Sequence, residues 1–561
     1  MADSNLARSI LELYPEITID DSRSNDKVVT FSLMEKTFAL LCPEEQTPTS
    51  VAVILVIDDD FDYPHIMLSE IDFKGDDVLA KGKYRFVCLH QSGSVVSFLQ
   101  SFDEKITDEI ERLIELMQLS PKEAEREYQK EFLYYWNSVS RYDNTHLYLK
   151  KTNEYERLEV YQGEKIIRYL SPDIVLSDID NRTNKGKDRV WQHRSDIEAF
   201  FIPIIDNRGI LPPTKKKKWG VADIVEILYG KRIRHISCST FDAIKDEVTH
   251  YNCIDLIFSM TVNTLPITFM VRLTMKNSAG TKTLLARILE GNFEVQTMCI
   301  KREDYCYLNE IIGNSSSGFD KKVLLIGAGS LGSYVAGELV KNGFKNLTIY
   351  DGDSIAAENF MRWAYGGIIK SGNKATNLKF YLELMHPEIV VDAYEKNFYA
   401  DDISDQIDDF DYIIFTVGSS DIQLKLNRIF KEKDVKACVL FAWLEAGGEN
   451  SHLLSIDYNH QGCFECLFTD KNGDLINNKV NIVAEDVVIK NTISNGCGAT
   501  RVAYGSAVLL RTVSALLTLI EKIERGFVKS NCLVNIEPNK VSYEFDTFKE
   551  KRCRCCGDKT Q

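Results

Sequence analysis

The 561-residue chain contains no run of 18 apolar residues, the minimum expected of a membrane-spanning helix, so no membrane association is expected. Its longest apolar stretch, VAYGSAVLLRTVSALLTLI, is interrupted by Arg511 and reads as a buried helix. The first residues, MADSNLARSILELYPEI, lack a basic segment followed by an apolar one, so no secretory leader is expected and the chain reads as cytoplasmic. Basic residues are in deficit: 67 Lys and Arg stand against 83 Asp and Glu, a net charge of -16. Such a surface repels phosphate backbones and anionic lipid, so no nucleic-acid partner is expected. Only Lys215–Lys218 is strongly basic, and beside Pro212, Pro213 and Trp219 it reads as a solvated loop. The 14 cysteines are too few and too scattered for a secreted disulfide scaffold. Neither an internal repeat nor a long low-complexity tract is visible.

What is present divides into three parts. Residues 1–160 read as an α+β unit with β-rich runs DKVVTFSLME, KTFALLCPEE, SVAVILVIDDD and YRFVCLH, followed by helical periodicity to about Gln118. Ser120-Pro121-Lys122-Glu123 is a capping box with proline at the first helical position. The helix it opens places Tyr128, Phe132, Tyr135 and Trp136 on one face, as core packing. Residues 161–310 form a mixed α/β middle segment with strand-like runs such as DLIFSMTVNTLPITFMVRLTM, and no chemistry is assigned to it. The Gly- and Ser-rich IIGNSSSGFD reads as a linker into residues 311–561. There the pattern becomes β-α-β, with strands at KKVLLIG, NLTIYD, YEKN, DYIIFTVG and ACVLFAWLEAGG. This α/β order predicts a doubly wound, largely parallel, Rossmann-like sheet.

Gly327-Ala328-Gly329-Ser330-Leu331-Gly332 is a G-x-G-x-x-G turn between strand and helix, where backbone amides and the helix dipole favour phosphate. Asp351 closes the next strand, placed to accept ribose hydroxyls. Taken alone, this pattern also suits an NAD dehydrogenase or a degenerate nucleotide fold. Asp353, Asn359, Arg362 and Lys374 follow within one loop–helix connection, and two cations near a phosphate turn suit the departure of pyrophosphate. Asp421 follows the strand DYIIFTVG at the end where open α/β sheets bind ligands, placed to hold Mg²⁺ against a triphosphate.

GAGSLGS, DGDSIAAENFMR, the Lys374 of GNKA and the Asp421 of GSSDIQLKLNR resemble the adenylation domain of ubiquitin-activating and ThiF/MoeB-type enzymes, over roughly 320–561. The resemblance implies ATP as substrate, Asp351 on the ribose, Asn359, Arg362 and Lys374 on the phosphates, Mg²⁺ on Asp421, and a homodimer. The family's usual Arg-Gln pair is here Arg362-Trp363.

Cys463-x-x-Cys466 and Cys553-x-x-Cys556 supply two C-x-x-C pairs, the donor set of a closed Cys₄ zinc site, with Cys555 as an extra thiol. A redox dithiol is the other reading of such pairs. Cys497, flanked by glycines before a long apolar helix, reads either as a small buried residue or as a thiol activated near a helix N-terminus. In ubiquitin-activating enzymes a loop in this region carries the thioester cysteine, a role the resemblance implies for Cys497. Cys88, in YRFVCLH, is on its own an ordinary strand cysteine. The N-terminal order of elements resembles ubiquitin-conjugating enzymes, which implies a thioester role for Cys88, although no His-Pro-Asn triplet precedes it. Nearby, His90 is the candidate for the missing oxyanion stabilisation.

The three parts together resemble bacterial fusions of antiphage operons, CBASS above all, as does the run Trp443–Gly448 followed by His452. That resemblance implies a multifunctional ligase. Its carboxylate donor would be a CD-NTase or a ubiquitin-like protein with a free C-terminus, and its acceptor a target amine. The competing readings are a sulfur-carrier or ubiquitin-like-protein adenylyltransferase without a cysteine relay, and an inactive nucleotide-binding scaffold.

Overall fold

The computed structural model describes residues 10, 12–20, 23–24, 28–41, 53–56, 68–69, 85–87, 89, 101–177, 191–213, 217–276, 280–313, 318, 320–366, 371–399, 402, 405–445, 447–482, 492–494, 500–502 and 504–557. Among them no helix is long and apolar enough to cross a membrane.

Alternating apolar residues build the first sheet, an antiparallel set containing Val28–Leu33, Lys36–Leu41, Val53–Val56 and Arg85–Val87. Met34 and Glu35 make its tight turn with φ of 48° and 63°, the left-handed pair that matches the twist of a two-residue hairpin. Ser101 and Glu104 cap the helix Phe102–Gln118 reciprocally. Its Ile106, Ile110 and Leu113 lie at helical spacing and pack on Val29, Phe31, Phe38 and Leu40.

The Ser120–Glu123 capping box and Pro121 open a helix as expected, but it breaks at Glu131 into Pro121–Lys130 and Phe132–Val139. The aromatic stripe is core: Phe132 stacks on Trp136 at 5.6 Å, and Trp136 meets Trp219 edge-on at 4.9 Å. Lys217 and Lys218 are exposed and Trp219 beside them is buried, while Lys215 and Lys216 lie outside the described residues. These helices cover a nine-stranded middle sheet. The division expected at residue 160 therefore falls inside one sheet, within Glu156–Gln162. The packing groups residues from Pro121 onward with the middle unit, because Phe132 and Trp136 find their apolar surface there.

The two longest strands, Cys253–Val262 and Leu265–Met275, form a hairpin. Only Cys299 and Ile300 separate Phe293–Met298, at one end of the strand order, from Lys301–Arg302, which pairs with Thr145–Tyr148 at the other, so the sheet curls until its two edges come together. One continuous piece of chain therefore borders both edges of the middle sheet.

The third sheet has eight strands, ordered Val390–Tyr394, Asn346–Tyr350, Lys322–Ile326, Tyr412–Phe415, Cys438–Leu444, Ser451–Ile456, Cys532–Glu537 and Lys540–Glu544. The first five are parallel and the last three antiparallel. The strand expected at YEKN lies earlier, at Val390–Tyr394, where Val391 and Ala393 join the core side and Asn346–Tyr350 supplies the parallel partner. Val323 and Leu325 face the helices Ser330–Lys341, Lys374–Met385 and Ser506–Glu524. Leu324 and Ile326 face Ser420–Glu432. The sheet is thus covered on both faces. Its order reverses at Lys322–Ile326, which leaves a crevice at the carboxyl ends of the strands.

Candidate functional site

The glycine turn sits in that crevice. Gly327 has φ of 103°, and its carbonyl accepts the Thr416 hydroxyl at 2.8 Å. A Cβ on Gly332 would overlap the Gly327 carbonyl oxygen, so only glycine lets the turn fold back onto its helix. A Cβ on Gly329 would meet open space among the described residues, leaving the turn's outer surface free for a ligand to approach.

Asp351 ties the turn to the next strand. Its two carboxylate oxygens accept the N–H groups of Ala328 at 2.7 Å and Asp353 at 2.8 Å. Burial raises its pKa, opposed by the charge of Lys374. Lys374, itself buried, starts the helix Lys374–Met385 and pairs with exposed Asp353 at 2.8 Å. Asn373 caps that helix through Ala375 N–H and donates to the Asp351 carbonyl at 2.8 Å. Three of the expected residues, Asp351, Asp353 and Lys374, are thereby bonded to one another and, through Ala328, to the glycine turn.

Asn359 is occupied locally: its Oδ1 accepts Ala356 N–H at 2.9 Å, closing a 3₁₀ turn. The Arg362 guanidinium lies 5.1 Å from the Tyr504 ring centre, a cation–π contact. Trp363 explains the departure from an Arg-Gln pair. Its buried indole donates to the Ala328 carbonyl at 2.9 Å, so the residue after Arg362 props the glycine turn from beneath. Only the family comparison of that one position hints at this clamp, and the bond itself was not legible in the sequence. Asp421 stands exposed in the first turn of Ser420–Glu432, and among the described residues no bond to its carboxylate is recorded. Cys497, Cys88 and His90 lie outside the described residues.

Past the parallel strands, the buried His452 ring is held between Glu445 Oε1 at 2.5 Å and Asn535 Oδ1 at 2.7 Å. Glu445 also accepts Ile482 N–H at 2.9 Å, and Trp443 stacks on His452 at 5.1 Å. This bond set ties two antiparallel strands to the chain at Ile482.

The two C-x-x-C pairs meet. The Sγ atoms of Cys463, Cys466, Cys553 and Cys556 all lie within 4.8 Å of one another. Cys463 and Cys553 are 3.7 Å apart and Cys466 and Cys556 3.4 Å, too far for disulfides and close to the ~3.8 Å edge of a tetrahedron of thiolates around zinc. Donor type, number and spacing fit Zn²⁺ in a closed site. Cys555 is a fifth thiol beside Cys463, its Sγ accepting Asn427 Nδ2–H at 3.3 Å.

Residues 317–555 match the model of the ThiF family. The C-terminal region is a ThiF-family domain. Over 207 residues the chain is 25% identical to the ATP-dependent ubiquitin transferase-like protein Cap2 of Vibrio cholerae, a match covering 35% of this chain and 33% of that protein. It is 22% identical over 200 residues to ubiquitin-like modifier-activating enzyme 5 of Bombyx mori, covering 33% of this chain and 48% of that one. The match therefore spans a third to about half of the length of these relatives. Among solved structures, Escherichia coli MccB with ATP is 17% identical over 43% of this chain and 67% of its own, with a TM-score of 0.33.

Proposed function

We propose that the ThiF region activates a protein's C-terminal carboxylate with ATP, and that the whole chain carries the acyl group onward to an amine. One observation carries the reading: the glycine turn, Asp351 and Lys374 are bonded into one unit at the crevice of a ThiF-family sheet. Asp351 receives the ribose hydroxyls, and Gly327–Gly332 cradles the phosphates with backbone N–H groups. Lys374 exchanges its exposed partner Asp353 for phosphate, which keeps the buried ammonium paired. Asp421 would hold Mg²⁺, which neutralises charge on the triphosphate when bound.

A carboxylate oxygen attacks the α-phosphorus, the bond to the β-phosphate oxygen breaks, and pyrophosphate leaves with its charge met by Lys374 and Arg362. The Cys497 thiolate then attacks the acyl carbon and expels AMP. Exchange onto the Cys88 thiolate regenerates Cys497, and an amine finally displaces Cys88 to give the amide. Several easy exchanges replace one slow attack. The similarity to an ATP-dependent ubiquitin transferase-like protein supports a protein as donor, and the donor we propose is a CD-NTase within an antiphage system. The chain would act as a homodimer.

ATP–pyrophosphate exchange tests the first step. It should require Mg²⁺ and an added protein with a free C-terminus, and fall at least 100-fold in Lys374→Ala. Cys497→Ala should keep exchange while losing a thiol-sensitive adduct, and Cys88→Ala should keep that adduct while amide formation stops. Exchange lost in Cys497→Ala, or conjugation unimpaired in Cys88→Ala, would overturn the relay. Exchange absent from the intact protein would overturn the adenylation reading itself.

A further inference from the structure

The four-thiol knuckle lies on the side of the sheet that carries Ser420–Glu432, the helix whose first turn holds Asp421. The midpoint of that helix is bonded into the knuckle. Asn427, fully buried, accepts the N–H of Phe464, inside the first C-x-x-C, at 3.1 Å, and the Tyr458 hydroxyl at 3.2 Å. Through Nδ2 it donates to Cys555, inside the second C-x-x-C. One carboxamide thus touches both halves of the thiol site. Arg428 adds a two-pronged pair to buried Glu465, also inside the first C-x-x-C, at 2.5 and 2.9 Å.

The other end of the helix is bonded to the phosphate turn. Buried Gln423 donates to the Val417 carbonyl at 2.5 Å, and Thr416 beside it donates to the Gly327 carbonyl at 2.8 Å. Fixed bonds therefore run from the thiols through one helix to the glycine turn. A buried carboxamide satisfied at both its oxygen and its nitrogen admits few alternative positions, because each lost bond leaves a buried polar atom unpaired.

We propose that Asn427, with Arg428, is a positioning residue that couples metal occupancy of the Cys463/Cys466/Cys553/Cys556 site to nucleotide binding at Gly327–Gly332. The inference rests on the adenylation reading of that turn. With the metal bound, the two C-x-x-C loops hold Asn427 and Arg428 in place, and the helix presents Asp421 and supports Thr416. Without it, Phe464 and Cys555 drift apart and the helix loses its anchor. Binding linkage is reciprocal, so nucleotide must in turn raise the affinity for the metal by the same factor.

The test uses the intact, zinc-loaded chain and measures its Zn²⁺ affinity by equilibrium competition with a colorimetric chelator, with and without saturating Mg²⁺–ATP. Nucleotide affinity is measured separately with a fluorescent ATP analogue. Saturating nucleotide should raise that affinity at least about fivefold, the lower end of ordinary coupling between sites. Asn427→Ala and the milder, surface-reaching Arg428→Gln should each shrink that gain, and Asn427→Asp, which keeps the two accepted bonds, should retain part of it. Nucleotide that binds the wild type without raising its Zn²⁺ affinity overturns the coupling and leaves the adenylation reading intact. Absence of nucleotide binding overturns both. The full gain in both Asn427→Ala and Arg428→Gln would show that these residues do not carry it.

Discussion

Trp363 holds the phosphate turn by one N–H and a buried ring, and the two contributions can be separated. Trp363→Phe keeps most of the bulk and strands the Ala328 carbonyl, so chemical denaturation should show a loss of about 1–2 kcal/mol. Trp363→Ala should cost about 3–5 kcal/mol and weaken nucleotide binding as well, because the turn loses its floor. Gly332→Ala should abolish binding of a fluorescent ATP analogue, since the new Cβ collides with backbone that cannot swing away. These residues mark how far the sequence could be read. The glycines, Asp351 and Lys374 announce themselves because phosphate chemistry restricts the residue types that can serve it. Trp363, Asn373 and Thr416 act through geometry that many residue types could supply. Their roles became visible only once the chain was folded.

At the scale of elements, period and punctuation carried most of the architecture. Ser101–Glu104 and Ser120–Glu123 start helices where their capping chemistry requires, and the β-α-β order yields a parallel sheet. The three antiparallel strands that complete this sheet were less legible, because a short apolar run does not say in which direction it will pair. The edge strand Val390–Tyr394 was displaced for a related reason. Half of it faces solvent, so its apolar signal is diluted. The long hairpin of the middle sheet turns at Asn263 and Thr264 with φ of 47° and 72°. A β-branched residue is strained in that left-handed region. Thr264→Gly should therefore raise the urea midpoint of the middle unit, by up to about 1 kcal/mol of stability.

In the whole molecule, the middle unit and the ThiF region meet through a small set of well-defined bonds. Arg302 and Asp304 form a buried ion pair before the helix Tyr305–Ile311. Tyr305 donates its hydroxyl to the Val340 carbonyl and its N–H to Glu388 at 2.8 Å, and Ser177 N–H reaches the Pro387 carbonyl at 2.9 Å. Burial pushes the Glu388 carboxyl up to about 7, with the charge of Asp304 adding to the rise and Lys345 and Arg302 opposing it. The folded chain then holds a proton that the unfolded chain releases near pH 4.5. Stability should fall as pH rises from about 4.5 to about 7 and level off above that. Glu388→Gln keeps an acceptor for Tyr305 and should flatten that slope in thermal unfolding followed across the same range.

The sequence punctuates the chain at 311–320, and a truncation designed from punctuation would begin the ThiF region there. The bonds of Tyr305 belong to the other side of such a cut. Removing them would strip the carboxyl end of the Ser330–Lys341 helix, the same helix that opens on the phosphate turn, of its only side-chain partner at Val340 among the described residues. For anyone transplanting this region into another protein, the natural parting line lies upstream, between Gln118 and Pro121, where one sheet's helix ends and the next sheet's begins.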